Sequence, residues 1–97
     1  MSDALPATLH LKVVTPRKLL VEADVEAAYL PSLEGEIGVL PGHRPLFTGI
    51  GRGRLRYVEA GGEESVAIRG GYAEIQPERV VVMTEAGEDD DSGDAAV

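Results

Sequence analysis

Apolar side chains recur at every second position through most of the 97-residue chain, the period of a half-buried strand and not of a helix. In "TLHLKVVT", Leu9, Leu11 and Val13 fall on one face and Thr8, His10 and Lys12 on the other. In "LLVEADVEAAYL", Leu19, Val21, Ala23, Val25, Ala27 and Tyr29 stand opposite Glu22, Asp24 and Glu26. That run is longer than one average strand, so it predicts two strands, or one bent across both sheets of a sandwich. The break is placed between Ala23 and Glu26.

The second half keeps the rhythm and adds explicit turns. "GRLRYVEAGGEESVAIRGG" reads as strand, Gly-Gly hairpin turn and strand, with Leu55 and Tyr57 inward on one arm and Val66 and Ile68 inward on the other. "YAEIQPERVVVMTE" turns between Gln76 and Arg79, where Pro77 fixes φ, and the apolar run Val80 to Met83 resumes at once. No long window shows a 3.6-residue period with a cap, so any helix is a single turn, placed within "PGHRPLFTGI". With 12 glycines and 6 prolines the chain predicts an all-β fold. We expect a flattened β-sandwich of about ten short, mostly antiparallel strands.

Charge divides the chain. From Glu85 onward there are six acidic residues and no basic one, whereas Met1 to Thr84 carries 11 acidic against 9 basic residues, a net of −2 within the total of −8. The acidic "EAGEDDDSGDAAV" has almost no apolar surface with which to offset the entropy of ordering, and is expected to be disordered. The predicted organisation is a flexible N-terminus at 1–7, a sandwich over 8–84 and a disordered acidic tail at 85–97. The absence of cysteine excludes a disulfide, a thiolate nucleophile and a sulfur-ligated metal. No 18-residue apolar run exists, and "MSDALPATLH" lacks the basic and hydrophobic regions of a signal peptide.

The stretch "EGEIGVLPGHRPL", Glu34 to Leu46, is the candidate for chemistry. As a phosphate loop it fails, because β-branched and apolar residues separate its glycines and no Lys or Ser/Thr follows. As a metal centre it gives His43 no ligand-spaced partner, and the other histidine, His10, stands alone on the polar face of the first strand. Glu34 and Glu36 share a face if extended, but neither has a predicted partner to tune it for acid–base work. What these residues do specify is shape. Gly35 and Gly38 permit unusual φ or close approach, and Pro41 and Pro45 stiffen Leu40 to Pro45 into a corner that exposes His43 and Arg44 for docking. Arg52, Arg54 and Arg56 share one strand face, either to meet an acidic partner or to balance Glu59, Glu63 and Glu64 across the hairpin. Nucleic acid is disfavoured as a partner by the negative charge and the lack of aromatics among the arginines.

"TPRKLLVEADVEAAYLPSLEGEIGVLPGHRPLFTGIGRGRLRY", followed by "AIRGGYAEIQPERVVVMTE", resembles the N-terminal β-sandwich domain of the epsilon subunit of F-type ATP synthases, equivalent to the mitochondrial delta subunit. The resemblance rests on "TP", "EGEIGVLPGHRPL", "GRLR", "GGYAEIQP" and a closing valine strand, taken in that order. It implies a non-catalytic subunit without cofactors, which docks the gamma subunit of the rotor stalk to the polar loops of the c-ring and couples proton flow to ATP synthesis. It implies that Glu34 and Glu36 face the c-ring and that Thr15, His43 and Thr48 face gamma, with Arg44 beside them where a small residue is common. The implied place is the cytoplasmic face of the bacterial plasma membrane, or the stromal or matrix face of an organelle, reached only through the complex. Family members continue past the sandwich as a helical hairpin that can restrain ATP hydrolysis. "DDDSGDAAV" does not read as the start of one, so a short form without that brake is expected.

The alternative is a free-standing β-sandwich protein-binding module or accessory domain, which composition alone allows. A glycan groove would have few aromatics to draw on, since Tyr29 and Tyr57 are assigned inward and only Phe47 and Tyr72 remain.

Overall fold

The computed structural model describes residues 7–87. Alternation resolves into ten strands in chain order: β1 (Leu9–Val14), β2 (Leu19–Val25), β3 (Ala27–Ser32), β4 (Gly35–Val39), β5 (Leu46–Gly49), β6 (Arg52–Glu59), β7 (Gly62–Arg69), β8 (Tyr72–Gln76), β9 (Arg79–Met83) and β10 (Ala86–Gly87). They form two five-stranded sheets, a front sheet ordered β2-β1-β9-β8-β5 and a back sheet ordered β10-β7-β6-β3-β4. Every pairing within them is antiparallel except β1 with β9, where Leu11 lies beside Val80 and Val13 beside Val82.

The inward phase of each sheet meets the other in one core. Leu9, Leu11 and Val13 of β1 are fully buried, as are Leu30 of β3, Leu55 of β6 and Ile75 of β8. Each such side chain contributes roughly 1.5–3 kcal/mol of transfer free energy, which is why a polar residue is excluded from these positions.

The predicted break between β2 and β3 falls at Glu26, whose N–H donates to the Val58 carbonyl at 2.7 Å. The bend advances the chain by one residue, so that Ala28 and Leu30 are buried while Tyr29 turns to the outer face, against the inward assignment. A bulge where β1 pairs with β2 does the same at the other end of the run: Val13 pairs with Val21 but Val14 with Leu19, and Leu19 is left 49% exposed. Tyr57, Val66 and Ile68 do point inward as expected.

Turns differ from expectation in detail. The β6–β7 loop is Ala60–Gly61, both at positive φ (52° and 82°), and Gly62 already pairs with Glu59. Both residues in the left-handed region define the type I′ turn that suits the twist of a hairpin. The β8–β9 loop is Pro77–Glu78, as predicted. The helical turn expected in "PGHRPLFTGI" is absent: Pro41–Gly42 form a turn and Leu46–Gly49 a strand, and no helix occurs among the described residues. Pro45 favours extended backbone in the residue before it, which leads into β5 instead of a helix.

Gly70 and Gly71 carry the chain from β7 of the back sheet to β8 of the front sheet with φ of 72° and 97°. A Cβ on Gly71 would overlap the Met83 carbonyl. Beyond Thr84, Ala86 and Gly87 pair with Arg69 and Ile68 as the short edge strand β10. The flexible segment predicted at 1–7 lies, but for Ala7, outside the described residues, and so does residue 88 onward of the predicted acidic tail.

Candidate functional site

Thr15 ends β1 and closes the connection to β2. Its Oγ1 accepts from the N–H groups of Arg17 and Lys18, each at 3.1 Å, and its own N–H donates to the Lys18 carbonyl at 2.8 Å. The side chain is buried and satisfied, and it forms one wall of an open groove of about 510 Å³ that also includes Val14, Pro16, Tyr72, Met83 and Glu85.

At the opposite end of the front sheet, the corner Leu40 to Pro45 is tied down by two bonds. Gly42 N–H donates to the Pro77 carbonyl at 2.7 Å and His43 N–H to the Leu40 carbonyl at 3.1 Å. Gly42 sits at φ 91°, which a side chain resists. His43 is half-buried with Nδ1 2.7 Å from the Arg44 carbonyl. A carbonyl only accepts, so Nδ1 carries the proton, and the imidazole braces the corner it was expected to display. Arg44 is exposed.

Between these ends runs β5, an edge strand, with Thr48 half-buried on it. The neighbours of Thr48 were not assigned a role from sequence. Phe47 is 64% exposed, Leu46 40% and Tyr72 45%, and the Phe47 and Tyr72 rings stand 5.1 Å apart at 40°. Leu33, 73% exposed, reaches over Gly49, where an added Cβ would press on its side chain. Four of the large exposed apolar side chains thus gather on one open edge. The available signal was that Phe47 and Tyr72 were the two aromatics left out of the inward phase.

Glu34 and Glu36 do not share a strand face. Glu34 lies with Leu33 in the two-residue loop between β3 and β4, its N–H held by Ser32 Oγ at 3.1 Å. Glu36 is on β4, and its carboxylate is bound: Arg56 Nη2 donates to it at 2.8 Å while Nη1 reaches Glu63 at 3.0 Å. The same guanidinium lies over the Tyr29 ring, 4.6 Å from its centroid. One arginine thereby links β4, β3, β6 and β7, and its two carboxylates raise its pKa further above its ordinary value, Glu36 more than Glu63. Twenty residues separate Arg56 from Glu36, so no local spacing announces the pair. Of the two readings of the arginine row, Arg56 takes the internal one.

His10 is not alone either. Its Nδ1 lies 3.1 Å from Asp24 and its Nε2 2.9 Å from Glu22, both on β2, and they raise its pKa, Asp24 first. Among the described residues there is no cluster of three or more His, Asp or Glu able to hold a metal ion, and no helix long and apolar enough to cross a membrane.

These features define a small two-sheet β-sandwich domain whose distinguishing surfaces are an apolar strand edge and a charged hairpin. Residues 8–90 match the family model described as the ATP synthase delta/epsilon chain β-sandwich domain. The chain belongs to that family. It is 41% identical over 80 residues to the ATP synthase epsilon chain of Carboxydothermus hydrogenoformans, covering 82% of this chain and 60% of that one. It is 36% identical over 89 residues to the epsilon chain of Koribacter versatilis, covering 92% and 63%. The chain therefore spans about 60% of the length of these relatives. In fold it is similar to a chain of the Euglena gracilis mitochondrial ATP synthase OSCP/F1/c-ring structure, with a TM-score of 0.80 at 23% identity over 98% of this chain and 65% of that one. A chain from the central stalk and c-ring structure of the Tetrahymena thermophila mitochondrial ATP synthase gives 0.67 at 12% identity, covering 80% and 63%.

Proposed function

We propose that this chain is the non-catalytic rotor subunit that joins gamma to the c-ring in an F-type ATP synthase, coupling proton flow through the ring to ATP synthesis. The reading is carried by the edge of the front sheet, where Leu46, Phe47 and Tyr72, with Leu33 reaching over Gly49, leave large apolar side chains exposed on and beside the edge strand β5. An isolated domain would blunt such an edge with charge, and a partner explains why this one is not. Gamma is assigned to that edge together with Thr48, the Thr15 groove and the His43–Arg44 corner. The c-ring's polar loops are assigned to the β3–β4 hairpin, with Glu34 at its tip and Glu36 behind it. The place of work is the membrane face on which the rotor stands, the cytoplasmic face in a bacterium, and the chain reaches it through the complex.

The test is capture of the gamma subunit from the same source, followed by calorimetry. Stoichiometric binding is expected. Phe47→Ala weakens it by about 30-fold, the effect of losing a central aromatic anchor worth about 2 kcal/mol. His43→Ala weakens it less, through the corner, and Glu36→Ala leaves it unchanged. No binding at tens of micromolar would overturn the reading.

A further inference from the structure

Leu33 is the most exposed large apolar side chain among the described residues, at 73%, yet it lies in a notch. Its isobutyl group straddles two glycines at the end of β5. A Cβ on Gly49 would come within 2.7 Å of Leu33 Cδ1, and one on Gly51 within 3.6 Å of Leu33 Cδ2. Neither glycine is at positive φ, so the backbone at both positions would accept a side chain. At Gly49 the nearest obstacle to one is Leu33 itself. Glycine carries an entropic cost in a strand, and so exposed a leucine gains little from burial. The fit therefore serves position more than stability.

The notch is where the β3–β4 hairpin of the back sheet meets β5 of the front sheet. Leu33 N–H donates to the Gly49 carbonyl at 3.1 Å and Gly51 N–H to the Pro31 carbonyl at 2.7 Å, while Ser32 bridges to the buried Ile50 between the two glycines. On the hairpin side, the Ser32 hydroxyl donates to the Gly35 carbonyl and accepts from Glu34 N–H, which ties the tip to the same segment. On the sheet side, Gly49 pairs with Tyr72, whose ring stands 5.1 Å from that of Phe47. Glu34 and the aromatic edge are thus joined by a short path that crosses between the sheets at Leu33.

We propose that Leu33 is a positioning residue, which locks the Glu34 tip to the β5 edge so that the two surfaces move as one body. Its side chain covers the two glycines whose backbone makes the joining bonds, and its removal lets those bonds open locally. The inference rests on the assignment above of one partner to the edge and another to the hairpin. Load passes from one partner to the other only as far as this joint is stiff.

Hydrogen exchange of the full chain reads the joint without any partner, so its outcome is separate from the identity of what binds either surface. In Leu33→Ala, and in Gly49→Ala, where the new methyl displaces the leucine, the amides of residues 33 and 51 should exchange about tenfold faster. Amides of β1 should keep their rates. Combining the two changes should add nothing to Leu33→Ala, because among the described residues only Leu33 lies within 4 Å of the added methyl, chain neighbours aside. The coupling itself is read by NMR: Phe47→Ala should shift the Glu34 and Gly35 amide signals in the wild type, and several-fold less in Leu33→Ala. Unchanged exchange at residues 33 and 51, or a rise shared equally by β1, would overturn the proposal. So would effects that multiply in the double variant, or tip shifts that are the same with and without Leu33.

Discussion

The two sheets present opposite outer surfaces. At the edge of the front sheet, Leu46, Phe47 and Tyr72 are exposed among the described residues, whereas on the back sheet Arg56 gathers Glu36, Glu63 and the Tyr29 ring into a closed network. Both surfaces rest on the same core and the same alternation. The difference lies in whether the side chains complete one another. A network that satisfies itself can be left in water, but an apolar edge in water implies a missing neighbour. The back sheet's charges therefore belong first to this chain's own stability, and the front edge is the surface on which the proposed partner would act.

That contrast depends on the crossover that keeps the two sheets in register, and the largest effect is expected there. Gly71→Ala must move backbone, since φ is 97° and the Met83 carbonyl fills the space a Cβ would need. A loss of about 3 kcal/mol or more is expected by urea unfolding, from left-handed strain added to the displacement of β9. A loss near zero would mean that the sheets are held apart by the core alone.

Next in size is the apolar edge itself. Replacing Phe47 and Tyr72 together by serine should cost the isolated chain about 1 kcal/mol, the worth of their mutual ring contact. Leu30→Ala, in the core, should cost about 2–5 kcal/mol. If the edge pair costs as much as the core residue, it is structural, and the case for a partner at β5 is lost.

Much of this was legible beforehand. The strands, the β2–β3 break near Glu26 and the Pro77 turn follow from period-two alternation and turn chemistry, which are local. What failed was phase across irregularities. The bulge at Val14 and the bend at Glu26 each insert one residue, so Leu19 and Tyr29 fall on the wrong side although Val21, Ala23 and Val25 between them are right. Pairings over long separations were invisible for a different reason: neither Arg56 with Glu36 nor His10 with Glu22 and Asp24 has a sequence spacing that specifies it. The expected site residues suffered likewise. Thr15 and His43 stand alike in the sequence as residues that the resemblance turns toward gamma, yet one closes a turn and the other braces a corner at the far end of the same sheet.

A smaller effect tests the closed network. Arg56→Met keeps an unbranched side chain beside Tyr29 but leaves Glu36 and Glu63 without their shared cation. We expect a modest fall in the urea midpoint that shrinks with added salt, because the lost pairs are solvent-exposed. A large fall insensitive to salt would show that the guanidinium's own stacking on the Tyr29 ring, which methionine does not reproduce, matters more than its exposed ion pairs.

The smallest expected effect is the pH dependence set by His10. Both ring nitrogens face carboxylates, at 3.1 and 2.9 Å, and only the protonated ring can donate to both. The folded chain therefore holds this proton to higher pH than the unfolded chain, whose histidine titrates near 6.5. A raised folded pKa adds stability that is fully present below the unfolded value and is lost as pH rises through the folded one. His10→Gln removes the term. The stability of the wild type relative to His10→Gln should be level below the unfolded value near 6.5 and should decline as pH rises through the higher folded value. A gap that instead widens with rising pH would mean that the ring is neutral in the folded chain, and that Glu22 and Asp24 are held at the edge of the front sheet by something other than its charge.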